Sequence, residues 1–403
     1  MTNSAISRLQ QLHRGLRRRT PLGWLQLRRD LGRLAVALMG IAFADILMFM
    51  QLGFRSALYD SNTRIHRIIT GDIVLMSRQA RNLIDLGSFP RRRLYQARGI
   101  QGVKGVNLVY VNLSRWKRPD SHQETAILVL GIDPSRPPLE LPGLDRAMPT
   151  LKLSDRVLFD RQSRGPYSAA ISQIERGEAV ITEINGHQIR IMGTYGIGAS
   201  FAADGNVLVS HRTFFRMFPQ RSAGAPSLGI VTLAEPFRLP SQRDRVITNL
   251  RQRLPQDIKI LSKDDFIAFE KQYWTDNTAV AFVFTLGTIM GFVVGAIIVY
   301  QILATDASDH LPEYATLKAM GFRHRYLLGV IFEESIILAA IGFVPGLGVT
   351  LGLYALTRRA TNLPMLMTVS RALMVLLLTV AMCVISGVIA ARRLEAADPA
   401  DLF

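Results

Sequence analysis

The stretch "TAVAFVFTLGTIMGFVVGAIIVYQIL", residues 278–303, runs for 26 residues without a single charge. A helix needs roughly 20 apolar residues to cross ~30 Å of hydrocarbon, so this run predicts a membrane span. Three more runs pass the same test: residues 34–54, 335–356 and 372–391. The first is no cleavable signal peptide, because it is too long, begins far from the N-terminus and has no small-residue cleavage site behind it. With 49% hydrophobic and 20% charged residues and a mean hydropathy of +0.19, the 403-residue chain reads as a membrane protein carrying a large polar domain.

Within the quoted span, Gly287, Gly291 and Gly295 recur at four-residue spacing on one face. Small residues at this spacing let helices approach closely in a bilayer, where packing drives association. The face is therefore either a dimer seam or a tight contact within the chain. Asp45 stands near the middle of the first span. A carboxylate there costs about 3 kcal/mol to insert and must face protein or water. A proton relay is one reading; the plainer one is a hydrogen-bonded packing residue facing Thr285 or Thr288. Pro345 and Gly346 interrupt the third span and predict a kink.

Between the second and third spans lies "LPEYATLKAMGFRHRYL", residues 311–327. Pro312 suits a first helical turn and Gly321 a stop, with Leu311, Tyr314, Ala315, Leu317, Ala319 and Phe322 on one apolar arc. That pattern fits an interfacial connector or a knob for a partner. Ahead of the first span, eight arginines from Arg8 to Arg33 face one acid, Asp30. The positive-inside rule then puts the N-terminus in the cytoplasm and, after four spans, the C-terminus too. Arg358, Arg359 and Arg371 fall in the short outer loop and oppose this assignment, but the N-terminal cluster outweighs them. Residues 21–33 read as a basic amphipathic elbow held against lipid headgroups.

The 56–277 segment has the texture of an α/β domain. Strand-like runs occur at 71–76, 106–113, 125–133, 187–198 and 205–210. A βαβ pattern follows, with strands at 227–233 and 258–261 around a helix at 241–255. The Pro-rich "DPSRPPLELPGL", residues 133–144, reads as a linker between two lobes. "DDFIAFEKQYW", residues 264–274, reads as a stalk that continues the second span. The expected organisation is an elbow at 1–33, spans at 34–54, 278–303, 327–356 and 372–391, and an extracytoplasmic domain at 56–277. A cytoplasmic coupling segment at 304–326, an outer loop at 357–371 and a tail at 392–403 complete it. The fold class is thus an α-helical membrane protein with four transmembrane helices and a two-lobed α/β extracytoplasmic domain between helices 1 and 2.

Enzyme motifs do not appear. The one cysteine, Cys383, sits in the last span and excludes an intrachain disulfide or a C-x-x-C site. The seven histidines show no ligand spacing, and there is no phosphate loop and no nucleophile elbow. Glu333 and Glu334 at the start of the third span lack a nucleophile or a metal set beside them and read as interface markers. The net charge of +17 belongs to the flanks of the spans rather than to a nucleic-acid surface.

The residues 313–353, "EYATLKAMGFRHRYLLGVIFEESIILAAIGFVPGLGVTLGL", resemble the loop and third span of FtsX/MacB-type ABC transporter permeases. The terminal "AARRLEAADPADLF" resembles the closing motif of that family, with Asp398 and Pro399 matching. More narrowly, residues 21–54, 284–303, 308–322 and "ATNLPM" at 360–365 resemble DevC-type permeases of cyanobacterial exporters. The resemblance implies a non-catalytic homodimer in the inner membrane that binds no cofactor itself, ATP and Mg belonging to a separate cytoplasmic ABC ATPase. It places the ATPase contact at Glu313, Tyr314, Lys318, Met320, Gly321 and Phe322. It further implies a periplasmic membrane-fusion adaptor, a TolC-like outer-membrane duct, and export, of a glycolipid in DevC-type relatives, driven by mechanotransmission. The competing expectation is an FtsX-like signalling permease that passes force to an outer partner and moves no cargo.

Overall fold

The computed structural model describes residues 31–309 and 324–395. The basic lead-in before Leu31, the coupling residues Glu313, Tyr314, Lys318, Met320, Gly321 and Phe322, and the Asp398–Pro399 motif lie outside the described residues. The chain forms two units: one holds residues up to 54 with 283–356 and 366 onward, the other 55–282 with 357–365.

The first unit is helical. Helix α1 (Leu31–Asn62) begins in it, and α9 (Ala279–Asp309), α10 (His324–Thr361) and α11 (Val369–Glu395) supply the rest. All four are long and apolar enough to cross a membrane. Their inward faces carry Ala37, Ile41, Ala44, Val299, Leu338, Ala339, Met382 and Cys383, a core that alternates small and large apolar residues and lets the helices pack closely. Phe282, Leu286, Ile289, Val293, Leu373 and Leu377 are exposed, as lipid-facing side chains are. The helical assignment of α10 passes through Pro345 without a break, so the sequence signal for an interruption there does not end the helix. Arg33 pairs with Asp309 at 2.5 Å, joining the start of α1 to the end of α9.

The second unit is built around one long strand. The elements in order are α2 (Arg64–Ile68), β1 (Ile73–Ser77), α3 (Arg92–Arg98), β2 (Val103–Lys117), β3 (Glu124–Ile132), α4 (Leu144–Leu151), β4 (Arg156–Asp160), α5 (Ser168–Glu175) and β5 (Val180–Ile184). Then follow β6 (His187–Tyr195), β7 (Gly205–Ser210), α6 (His211–Met217), β8 (Leu228–Leu233), α7 (Pro240–Arg253), β9 (Ile258–Ser262) and α8 (Lys263–Asp276). The first half of β2 pairs with β8, giving the order β2-β8-β1-β9. With α3 and α7 as crossovers this is the βαββαβ arrangement of ferredoxin-like folds. Both β8 and β9 run antiparallel to β1, so the expected βαβ unit is present with β1 inserted between its strands. The second half of β2 pairs with β3 and β5, and β3-β7-β4-β6-β5 completes a closed six-stranded ring.

Local chemistry fixes these elements. Pro240 opens α7, where its missing N–H costs nothing. Ser262 caps α8 by accepting the Asp265 N–H at 3.1 Å, with Asp264 and Asp265 in the first turn opposite the helix dipole. Asn185 and Gly186, both at positive φ, make the two-residue turn joining β5 to β6. Leu75, Leu94, Val231, Leu250 and Ile260 form the core between the first sheet and its helices. Trp116, Phe159, Tyr167, Phe214 and Ile189 fill a separate aromatic core in the second lobe.

Two expectations are corrected. Residues 133–143 do not link the lobes: the Pro138 carbonyl accepts the Thr70 N–H at 3.1 Å, Glu140 donates to Ile68 O at 2.8 Å, and Leu139 is buried. Prolines lack the donor for a ladder but keep their carbonyls, so this segment docks beside residues 68–70, while β2 itself joins the lobes. The stalk is not one continuous helix with the second span either. Asn277 and Thr278 separate α8 from α9, and Thr278 Oγ1 turns back to Trp274 O at 2.7 Å, a local bond that competes with the helix.

Candidate functional site

The glycine face of α9 is occupied within the chain. A Cβ at Gly287 would meet the Gln51 amide carbon at 2.5 Å, one at Gly291 would meet Met48 Cγ at 3.2 Å and Leu47 Cβ at 3.3 Å, and one at Gly295 would meet Ala44 Cβ at 2.6 Å. Three glycines thus seat α1 along α9. The Ser386 hydroxyl adds a bond from α11 to Ala296 O at 2.7 Å. Gly342 and Gly346 do the same for α10, since a Cβ at Gly346 would lie 2.9 Å from Asp45 Cβ and 3.3 Å from Ala42 Cα. Helix α1 is therefore clasped from two sides by side-chain-free surfaces.

Asp45 is wholly buried in this clasp. Its partner is Thr379 of α11, whose hydroxyl lies 2.5 Å from Asp45 Oδ1, and not the expected Thr285 or Thr288 of α9. Thr288 bonds back to Phe284 O in its own helix at 2.9 Å. The reason is the geometry of α1: its Ala44 and Met48 side turns to the α9 glycines, which leaves Asp45 to face Gly346 and α11. Asp45 Oδ2 has no hydrogen-bond partner among the described residues. Elsewhere among the four helices, the Tyr354 hydroxyl donates to Phe49 O, and the Arg371 guanidinium donates to Leu366 O at 2.8 Å. Glu334 is buried near the start of α10, while Glu333 is half-exposed.

In the inserted domain, charged groups are bound up in structure. Arg93 holds Asp257 through Nε and Nη2, at 2.8 Å for the shorter ion pair, and this keeps the Asp257 carboxyl below its usual range. Glu270 of α8 is buried and accepts from Leu83 N at 2.8 Å and Trp274 Nε1 at 2.9 Å, with His66 Nε2 at 3.4 Å. His66 lies against the Phe266 ring, 4.1 Å between centroids. Burial holds the His211 imidazole below its ordinary range, beside Tyr110. Among the described residues no three His, Cys, Asp or Glu side chains are grouped as metal ligands. Two open grooves, of about 470 and 440 Å³, are lined by Arg115, Glu124 and Phe218 in one case and by Arg78, Arg251 and Lys259 in the other. Neither brings a nucleophile to a base.

The sequence did not signal the roles of Gln51, Thr379, Gly342 and Gly346. Their spacing within each span carries no information about which helix lies opposite.

Residues 280–399 match the family model described as FtsX-like permease C-terminal. A comparison with curated proteins finds no match in sequence. Among solved structures, the periplasmic region of MacB from Actinobacillus actinomycetemcomitans aligns with 53% of this chain and 97% of its own, at 12% identity and a TM-score of 0.33. The extracellular domain of the noncanonic ABC-type transporter YknZ from Gram-positive bacteria aligns with 47% of this chain and 98% of its own, at 14% identity and a TM-score of 0.32. Residues 280–399, the stretch of the last three long apolar helices, are thus similar to the FtsX-like permease C-terminal family, in line with the resemblance noted in residues 313–353.

Proposed function

We propose that this chain is the permease subunit of a tripartite ABC exporter of the DevC type. It works as a homodimer in the inner membrane with both termini in the cytoplasm and the inserted domain in the periplasm. A separate cytoplasmic ATPase binds residues 304–326 through Glu313, Tyr314, Lys318, Met320, Gly321 and Phe322. ATP-driven closure of that partner moves the spanning helices, and the inserted domain delivers the motion to a membrane-fusion adaptor and a TolC-like duct. The permease performs no chemistry of its own, and ATP and Mg stay on the partner. An envelope lipid or glycolipid is the cargo class this reading favours.

The observation that carries the proposal is the FtsX-like match over residues 280–399 together with a domain of 220-odd residues placed between the first and second spans. A mechanotransmitting permease needs helices packed tightly enough to move as bodies. The glycine clasp around α1 supports that: close-packed interiors shift between discrete arrangements rather than deform continuously.

The test is ATP hydrolysis by purified protein with its neighbouring ATPase subunit, comparing wild type with the Lys318→Glu, Gly321→Trp double variant. Co-purification and stimulated hydrolysis in wild type, with loss of the partner in the variant, support the coupling role. A wild-type chain that neither binds nor stimulates such an ATPase overturns it. Activation of an outer-surface hydrolase with no transported cargo would instead select the signalling reading.

A further inference from the structure

Three chain segments of the inserted unit continue directly into spanning helices: residues 55–68, which hold the end of α1; α8, before α9; and residues 357–365, from the end of α10 towards α11. One loop, residues 196–204 between β6 and β7, is bonded by the first, shares a cavity with the second and is bridged to the third through Arg164. The loop is anchored on Asp160, at the end of β4 and wholly buried. Asp160 Oδ1 accepts N–H groups of Gln162 at 3.0 Å and Ile197 at 3.1 Å, and Oδ2 accepts Gly198 N–H at 2.7 Å and the Asn206 amide at 3.0 Å. Four donors to one carboxylate leave the start of this loop little freedom.

From the first segment, Arg64 donates to Ile197 O at 2.8 Å. It lies where a Cβ on Gly198 would stand, and Gly198 has φ +103°, so only glycine fits there. From the second, Glu270 of α8 lines a small cavity of about 20 Å³ together with Gly198, Ser200 and Ala203 of the loop and Asn206 of β7. The third is held by Arg164, whose guanidinium makes a three-way fork: Nε to Thr361 O at 3.2 Å, Nη1 to the Asp204 carboxylate at 2.9 Å, and Nη2 to Ser200 O at 3.0 Å. Asn362 donates its amide to Ser163 O at 3.1 Å. Its φ of +54° and its N–H bond to Arg358 O also close the end of α10 in a left-handed cap.

We infer that residues 357–365 are a strap that ties the third span's end to the 196–204 loop, with Arg164 and Asn362 as its positioning residues. The inserted domain then receives motion from three inputs converging on one loop, rather than from residues 55–68 and α8 alone. A planar guanidinium suits this task, since it can bond three oxygens in fixed directions at once, which an ammonium on a flexible stem does not. The inference deepens the force-transmitting role proposed above, and its test needs neither ATPase nor cargo.

Hydrogen exchange on the full chain in lipid nanodiscs reads the strap directly. Asn362→Gly keeps the left-handed cap and removes only the amide. It is expected to speed exchange roughly three- to tenfold, the loss of about one hydrogen bond, at the remote amides of Gly198, Ala202 and Ala203 as well as at 357–365. The β1 and β8 amides stay as in wild type. Arg164→Ala is expected to loosen both segments further. Arg164→Lys is expected to keep the Asp204 ion pair and to loosen both segments less than Arg164→Ala does. Faster exchange confined to 357–365 in Asn362→Gly, or an unchanged strap in Arg164→Ala, overturns the inference. Failure of the ATPase experiment with the exchange result intact would sink the coupling role and leave the strap standing.

Discussion

Substituting alanine at the three glycines of α9 gives different signs at different positions, and the structure sets the order. At Gly295 the new methyl group would stand 2.6 Å from Ala44 Cβ, an atom fixed to the backbone of α1. Carbon atoms pack at about 3.5–4.0 Å, so the two helices must open by about 1 Å. Overpacking of that kind costs about 1–3 kcal/mol. Alanine returns about 1 kcal/mol of helix propensity. The net at Gly295 is a loss of up to about 2 kcal/mol by these two terms. At Gly291 the nearest atoms stand at 3.2 and 3.3 Å, which a shift of a few tenths of an ångström relieves, so the two terms nearly cancel. At Gly287 the obstacle is the far end of the Gln51 side chain, which can swing aside, so Gly287→Ala should gain up to about 1 kcal/mol. Reversible unfolding in mixed micelles, followed by helicity against the mole fraction of sodium dodecyl sulfate, measures all three. A Gly295→Ala protein as stable as Gly287→Ala would refute the argument that backbone-borne contacts, and not glycine spacing, fix this seam.

Other substitutions separate the remaining interactions. Thr379→Val removes the partner of Asp45 Oδ1 and should cost about 1 kcal/mol, the size of an intramembrane hydrogen bond, in the same micelle titration; Asp45→Asn keeps the pairing and should cost less. Asp160→Asn replaces one of two acceptor oxygens by a donor facing Gly198 N–H, and should lose on the order of 3 kcal/mol, seen as a lower midpoint in urea. Arg93 holds the Asp257 carboxyl below its unfolded value, so the pair stabilises the fold above about pH 4. That contribution fades as the pH falls through the lowered folded value. Arg93→Leu should therefore flatten the acid limb of a stability–pH curve, and an unchanged limb would remove the pair from the acid response.

How much of this was legible beforehand differs between the two units. Hydropathy and length placed four spans and the intervening domain, because hydrocarbon thickness is a constraint every spanning helix meets on its own. Strands such as Ile73–Ser77 and Leu228–Leu233 were legible as apolar runs. Arg156–Asp160 and Val180–Ile184 were not, although the Asn185–Gly186 turn after the latter is a hairpin signal in its own right. The proline-rich segment was misread since prolines mark irregular backbone without telling where it packs.

The sequence by itself determined which segments enter the membrane, where the βαβ unit lies, and that α9 carries a face of small residues. Tertiary structure alone decided what each such face meets. Thr379 lies 334 positions from Asp45, and no local pattern pairs a carboxylate with a hydroxyl across that distance. The same holds for Arg164, whose acceptors lie in two segments far apart in the chain, Ser200 and Asp204 in one loop and Thr361 at the end of α10. Local propensity and hydropathy act over one helical turn or one strand, whereas a guanidinium fork or a buried carboxylate is satisfied only by whatever the fold brings within 3 Å of it.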